Sequence, residues 1–342
     1  MKVNKISELG LDRTDEIVLY LSEVNETVAK NGKPYCNLKL QDGGPDPIQA
    51  KLWDMKKEDL LKEVALETPV KVSIKTQIFN GQKSYICSSI GKAPAGTDPS
   101  MFAMKSDMDT EMMFTDIVDG PEMDTATVAK VQKWERFPGL PRLMKNQDLL
   151  RLVQSIYRKN KEAVLKSSAA QSNHHAYRGG LLEHTYRMLM LALPVSAIYK
   201  STDRDVLLAG TALHDIGKIV ELETTDLGAS SYTTVGRMLG HMVIGINMVE
   251  AEVAEAAGRG EPYTDTEAVL QVKHCIAAHH GKLEWGAASV PMIPEAMILH
   301  EIDMIDAGMK EFSDALRKTE PGCLSSERIF ALGAYVYRPS EG

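Results

Sequence analysis

The sequence predicts two domains of different class in one chain, a small β-barrel followed by an all-α helical bundle. Three observations lead there. Five short apolar or alternating runs, separated by turn residues, lie within residues 14–93. The hydrophobic period then changes, and from residue 128 onward it is helical. The length of 342 residues itself suggests two domains.

The strands come first. Ile17-Val-Leu-Tyr-Leu21 is an apolar run, Tyr35–Leu40, Ile48–Trp53 and Val70–Lys75 alternate with period two, and Ser84–Ile90 supplies a fifth strand. Asn31-Gly-Lys-Pro34, Asp42-Gly-Gly-Pro45 and Asn80-Gly81 mark turns. Met55–Leu66 reads as a short helix. Five strands with one helix between the third and fourth form the pattern of an OB-type barrel, expected over residues 1–95. Residues 96–145 read as an acidic linker and connecting segment, because seven acidic residues face one lysine within 101–127. Short helices are compatible with that stretch. Six helices follow, over Asp148–Ser168, Gly180–Leu193, Asp203–Ile219, Gly236–Ala257, Asp265–His280 and Pro294–Leu316. Asp203 and Asp265 suit N-caps and Gly258 a C-cap. The bundle is expected over residues 146–320, with a C-terminal tail over 321–342.

Composition narrows the class. A hydrophobic fraction of 44% with 25% charged residues excludes a mostly disordered or fibrous chain. Met188–Tyr199, the longest notable uncharged run, contains Pro194 and is too short to span a bilayer, so no membrane partner is expected. The start carries no signal-peptide pattern, and Cys36, Cys87, Cys275 and Cys323 lack CxxC spacing, so a reduced, cytoplasmic setting is expected. The net charge of −8 argues against a nucleic-acid partner only until it is divided by region. Residues 1–100 are neutral, 101–127 carry −6, 128–178 carry +8 and 179–342 carry −10. The basic segment includes Arg151, Arg158 and Lys159, which are expected to help hold a nucleic acid unless they form an ordinary solvated helix face.

All nine histidines lie between residues 174 and 300. His184, the pair His214-Asp215, His241, the pair His279-His280, and Asp303 fall on five consecutive helical segments, each in or beside an apolar stretch. A polar side chain in such a stripe must find a partner, because desolvating it alone costs on the order of 1–3 kcal/mol. One such residue is ordinarily a satisfied core histidine; paired residues repeated on successive helices suit a divalent metal centre. Seven ligands exceed what one ion with open positions accepts. Two ions bridged by Asp215 use all of them, and such pairs serve in-line phosphoryl displacement. Lys218, four residues after His214, is placed to meet a phosphate on the same helix face.

His184, His214-Asp215 and Asp303 resemble the HD-domain metallophosphohydrolase motif, and His241 with His279-His280 is similar to its bimetallic branch. The glutamate that HD-GYP phosphodiesterases carry four residues before their first histidine is replaced here by Gly180. His174-His-Ala-Tyr-Arg-Gly-Gly-Leu-Leu-Glu-His184-Thr, Leu213-His-Asp-Ile-Gly-Lys-Ile-Val-Glu-Leu222 and His279-His-Gly-Lys-Leu-Glu-Trp-Gly286 resemble the YhaM family of 3′→5′ exoribonucleases, as does Asn31-Gly-Lys-Pro-Tyr-Cys-Asn-Leu38 with Ala50-Lys-Leu-Trp53 in the barrel. The resemblance covers residues 14–310; the acidic, Met-rich 101–125 stretch and the tail near Tyr335–Pro339 depart from it. It implies metal-dependent release of nucleoside 5′-monophosphates from RNA 3′ ends, usually with Mn²⁺ (Fe²⁺, Co²⁺ and Zn²⁺ suit the same ligands), sometimes action on single-stranded DNA, and a homo-oligomer.

Other residues keep two readings. The resemblance puts His175 and Arg178 at the site mouth, as acid and phosphate holder, while the alternative is a capping segment for the following helix. His300 either orients a carboxylate or simply packs, and Asp306 is the runner-up to Asp303 as last ligand. His174 and His274 read as structural or exposed. In the barrel, Tyr35 and Phe79 border turns and suit base stacking, with Lys33, Lys39, Lys51 and Lys83 tracking phosphates and Trp53 and Tyr85 read as possible core fillers. The leading functional expectation is a single-strand-trimming phosphodiesterase. Its rivals are a nucleotide or cyclic-nucleotide phosphodiesterase with a regulatory barrel, and a non-catalytic nucleic-acid-binding protein.

Overall fold

The computed structural model describes residues 4–44, 47–79, 82–171, 175–326, 328–329 and 332–340. His174, Pro45 and the Asn80-Gly81 turn lie outside the described residues. The first strands are β1 (Thr14–Val28), β2 (Pro34–Gln41), β3 (Ile48–Trp53), β4 (Thr68–Phe79) and β5 (Gln82–Lys92), with α1 (Lys57–Glu63) between β3 and β4. They close into a barrel in the order β1-β2-β3-β5-β4, with only β3 and β5 parallel among them. This is the OB-type arrangement that the strand and helix order predicts. Closure depends on the length of β1, which pairs with β4 through Thr14–Leu21 and with β2 through Tyr20–Val28. A register shift between Leu21 and Glu23 bends the strand between its two partners. Alternation buries Leu19, Leu21, Leu38, Leu40, Val72 and Ile74 inside and turns Tyr35, Lys39, Lys51 and Trp53 outward. Leu60 of α1 is fully buried in the same core, where truncation to alanine costs about 2–5 kcal/mol.

The connecting segment is more folded than its charge suggests. It forms α2 (Thr110–Val118), α3 (Thr125–Gln132) and α4 (Leu140–Leu143), and α2 and α4 place Met113, Phe114, Ile117, Val118 and Leu140 in the core of the helical domain. Its acidic residues have specific work there. Asp109 and Asp124 cap α2 and α3. Asp116 is fully buried and accepts two hydrogen bonds from Arg136, at 2.7 and 2.8 Å, and one from Tyr186. The connection also touches the barrel: Gln41 Nε2 donates to the Phe102 carbonyl at 2.9 Å.

The remaining helices are α5 (Gln147–Lys159), α6 (Lys161–Lys166), α7 (Gly180–Ile198), α8 (Arg204–Leu213), α9 (Lys218–Glu221), α10 (Thr234–Gly258), α11 (Thr266–Ala278) and α12 (Pro294–Lys318). Asp203 and Asp265 cap α8 and α11 as expected, whereas Gly258 is still helical and Arg259 follows as the cap. Helix α8 is buried from Asp205 to Leu213, because α5, α7, α11 and α12 all pack against it. Three details depart from the helical reading. The helix expected over Asp148–Ser168 is two, α5 and α6, divided at Asn160. A hairpin of β6 (Leu222–Thr224) and β7 (Ser230–Tyr232) interrupts the bundle. The helix expected over Asp203–Ile219 stops at Leu213, and the chain passes through a tighter turn with Ile216 N–H bonded to Leu213 O and Lys218 N–H to Asp215 O. Among the described residues no helix is long and apolar enough to cross a membrane.

Candidate metal centre

Part of the centre is built at helix ends, and His184, His241 and Asp303 join it from within α7, α10 and α12. The last carbonyls of an α-helix have no partner within it. His214, directly after α8, donates from Nδ1 to the Thr211 carbonyl at 2.8 Å, and His279, directly after α11, repeats the arrangement on Ile276 O at 2.8 Å. His280 Nδ1 meets Trp285 O at 3.1 Å. His184 on α7 donates from Nδ1 to Asp306 Oδ2 at 2.7 Å, and His241 Nδ1 lies 3.3 Å from Glu221 Oε1. All five rings therefore have an acceptor at Nδ1, which leaves Nε2 as the atom for a ligand.

The Nε2 atoms converge in two groups. His184, His214 and Asp303 form one, and His241, His279 and His280 the other; within each group the ligand atoms lie within 4.8 Å of one another. Asp215 stands between them. Its Oδ2 is 3.3 Å from His214 Nε2 and 3.8 Å from His184 Nε2, while its Oδ1 is 3.4 Å from His241 Nε2 and 3.6 Å from His279 Nε2. Oδ1 is buried and accepts no hydrogen bond. A buried carboxylate oxygen without a donor is costly, and two imidazole nitrogens 3.3 Å apart, as in His184–His214 and His241–His279, present lone pairs to each other when neutral. A divalent cation at each histidine group would satisfy both conditions, and imidazole–carboxylate donors suit Mn²⁺, Fe²⁺, Co²⁺ or Zn²⁺.

Two glycines make the geometry possible. A Cβ on Gly217 would lie 2.0 Å from the His241 carbonyl oxygen, so only glycine lets α9 approach α10 this closely. Gly240 has φ +71°, a kink inside α10 immediately before His241.

Charge balance holds the seven residues together. Burial opposes the charged form of Asp215, but Lys218 and His214 outweigh it and hold the carboxyl well below its usual range. Lys218 Nζ donates to Asp215 Oδ2 at 2.7 Å despite the helix break between His214 and Lys218. Burial likewise opposes charge on His184, yet hydrogen bonds to Asp303 and Asp306 push it up to about 10. Burial, with His214 nearby, drives His279 well below its usual value and keeps it a neutral ring.

The other expected residues fall differently. Asp306 contacts Nδ1 of His184 and Nε2 of His175 (2.9 Å), so it orients rings from behind, while Asp303 Oδ1 faces His184 Nε2 at 3.3 Å. His175 is not at a mouth. It is 1% exposed, bonded to Asp306 and to the Tyr177 hydroxyl, and adopts φ 53°, so it cannot meet substrate directly. Arg178 pairs with Asp226 at 3.5 Å and its backbone pairs with Met104 and Ser106, so it does not join the centre either. His300 donates to the His279 carbonyl at 2.8 Å, and His274 accepts from Met292 N–H. Sequence reasoning missed Glu221, the partner of His241. Its one signal is its position in the same short run as Asp215 and Lys218.

On the barrel, Tyr35 and Trp53 pair across β2 and β3 with ring centroids 4.7 Å apart, and Lys51 Nζ sits 5.7 Å over the Trp53 ring. Trp53 is 44% exposed, so it is not a core filler, whereas Tyr85 packs against the core. Lys33 is paired with Asp54 at 3.1 Å beside this face. Phe79 is exposed at the β4–β5 hairpin, and Lys83 pairs with Glu320 at 3.7 Å. Three basic residues of the 128–178 segment have acidic partners within the fold: Arg151 pairs with Asp148 and lies over the Tyr263 ring, Arg158 pairs with Asp119, and Lys159 with Glu252 and Glu255. These three side chains tie helices together, whereas Lys130, Lys133, Arg142 and Lys145 of the same segment are exposed.

Residues 181–308 match the family model described as "HD domain". Among solved structures, the second OB-fold domain of replication protein A from Methanococcus maripaludis is similar to 29% of this chain over all of its own length, at 21% identity and a TM-score of 0.22. Asparaginyl-tRNA synthetase from Entamoeba histolytica, in complex with asparaginyl-adenylate, is similar over 49% of this chain and 37% of its own, at 12% identity and a TM-score of 0.21. The barrel itself is established by its strand order.

Proposed function

We propose that this chain, whose HD domain is of metal-dependent hydrolase type, is a 3′→5′ exoribonuclease releasing nucleoside 5′-monophosphates from single-stranded RNA. The observation that carries the phosphodiesterase chemistry is Asp215, with one carboxylate oxygen turned to each histidine group and Oδ1 lacking any donor. A divalent pair, when bound, supplies concentrated positive charge and makes water acidic enough to act as a nucleophile near neutral pH. His184, His214, Asp303 and Asp215 would hold one ion, and His241, His279, His280 and Asp215 the other. Mn²⁺ is the ion the resemblance favours. In the reaction water attacks phosphorus and the P–O3′ bond breaks, leaving the 5′-phosphate on the released nucleotide and a hydroxyl on the shortened strand. Lys218 keeps its proton, because Asp215 outweighs the effect of burial. Its ammonium offsets negative charge that develops on the phosphoryl oxygens.

The barrel favours a polymer over a small nucleotide. The outer faces of strands 2 and 3 of an OB barrel and its neighbouring loops suit oligonucleotides. Here that face presents Tyr35, Trp53 and Lys51, with Lys33 at its edge and Phe79 and Lys83 on the β4–β5 hairpin. Single-stranded DNA fits the same stacking chemistry. Self-association is supported by the exposed apolar side chains Met297, Met304, Ile305 and Met309 along α12.

The test is digestion of a 5′-labelled RNA with and without Mn²⁺ after chelation. The expected outcome is a metal-dependent ladder shortening from the 3′ end, with mononucleotides as products and a lower kcat/KM for long RNA in the Y35A/W53A variant. Internal cuts, or turnover of cyclic dinucleotides without RNA shortening, would overturn the reading.

A further inference from the structure

Between α11 and α12 the chain makes a short turn, Leu283–Trp285, that the metal-holding roles do not use. Trp285 is 48% exposed and Leu283 61%, an apolar pair open to solvent beside the centre. The turn is fixed to that centre at two points. The Trp285 carbonyl accepts from His280 Nδ1 at 3.1 Å. The Trp285 ring lies 5.8 Å from the ring of His300, which in turn donates to the His279 carbonyl at 2.8 Å. The Lys282 ammonium sits 4.2 Å over the indole ring. An exposed cation on a ring is held less firmly than a stacked base, so a base entering there displaces it, and the ammonium is then free to meet a phosphate.

We infer that Trp285 is the stacking platform for the base of the 3′-terminal nucleotide, with Lys282 as its phosphate partner. This rests on the nuclease reading and adds the element that recognises the terminal residue. The physical basis is position. The backbone of Trp285 orients a metal-holding histidine while its side chain faces solvent, so a nucleotide whose 5′-phosphate lies at the centre has an aromatic surface within reach of its base. Stacking is sequence-tolerant, because every base has a π-face. The platform therefore accepts all four bases and rejects a terminus that lacks one.

The test compares wild type, W285A and W285F on RNA oligomers ending in an ordinary or an abasic 3′ nucleotide. Wild type is expected to favour the ordinary end, carried mainly in KM, by roughly 5- to 150-fold, the equivalent of about 1–3 kcal/mol of stacking. W285A collapses that ratio and W285F restores most of it. An unchanged ratio in W285A, on protein that still shortens RNA, overturns the inference and leaves the nuclease reading intact. Quenching of tryptophan fluorescence by a nucleoside 5′-monophosphate in a W53F background, absent with ribose 5-phosphate and absent in W53F/W285A, checks the platform without turnover. If wild type fails to shorten RNA but W53F shows this quenching, the nuclease reading fails and the platform stands. If neither quenching nor discrimination is seen, the platform is refuted.

Discussion

Replacing Asp306 with asparagine separates the two halves of the centre. Asp306 Oδ2 accepts from His184 Nδ1 at 2.7 Å and from His175 Nε2 at 2.9 Å, both in buried surroundings. An asparagine whose carbonyl oxygen takes the place of Oδ2 keeps both acceptances but removes the negative charge that strengthens them, so His184 is held less firmly in one orientation and tautomer. Outer partners of this kind typically set 10- to 100-fold in metal affinity, or about 1.4–2.7 kcal/mol. Turning two charge-assisted buried hydrogen bonds into neutral ones removes roughly 1–3 kcal/mol of stability from the metal-free protein. His184 belongs to only one of the two groups, so the loss is confined to one ion. Calorimetric titration of chelator-stripped D306N with Mn²⁺ is expected to show one site weakened 10- to 100-fold and the other changed far less, with a lowered urea midpoint before loading. Equal weakening at both sites, or unchanged affinity at both in a folded variant, would refute the assignment of Asp306 as the partner that orients His184.

Further predictions concern protons, close approach and charge. In the metal-free protein His184 is pushed up to about 10, because hydrogen bonds to Asp303 and Asp306 outweigh burial. Its folded value lies above the unfolded value of about 6.5, so its contribution to stability is full below about pH 6.5 and fades as pH rises toward about 10. Loading a metal requires the neutral ring, so Mn²⁺ binding at pH 8 should release about one proton from this residue, read from the buffer dependence of the binding enthalpy; release of none contradicts the assignment. G217A places a Cβ 2.0 Å from the His241 carbonyl and should cost about 1–3 kcal/mol in urea unfolding while weakening the ion at His241, His279 and His280. K159E removes the cation that pairs with buried Glu252 and should destabilise the fold by roughly 1–3 kcal/mol. Its RNA affinity should stay unchanged in filter binding, and a loss of affinity at full stability would restore the basic segment as an RNA surface.

The barrel was legible because each strand carries its own alternation and each turn its own residues. The histidine and aspartate cluster was legible because polar pairs inside apolar stripes are hard to explain otherwise, and the structure brings those residues together. Depth was not legible. His175 directly precedes the helix of His184, yet a backbone at φ 53° carries it inward to Asp306, 131 residues away in sequence. The break after Leu213 was invisible because apolar periodicity runs on through Ile216 and Ile219, while the deciding event is a histidine taking a free helix-end carbonyl. The hairpin of β6 and β7 has three residues per strand, too few to show alternation. Acidic residues such as Asp116 read as solvated until their partner, here Arg136, is known. The same limit applied to Arg158 and Lys159, whose partners Asp119, Glu252 and Glu255 are remote in sequence.

The central claim is that Asp215 is shared by two cation sites. Metal content of wild type and D215A, measured by elemental mass spectrometry after Mn²⁺ loading and desalting, tests it most directly. The account predicts two ions per wild-type chain, with D215A losing retention at both sites because its two oxygens serve both groups. One ion per wild-type chain, or a folded D215A that still holds two, would contradict it.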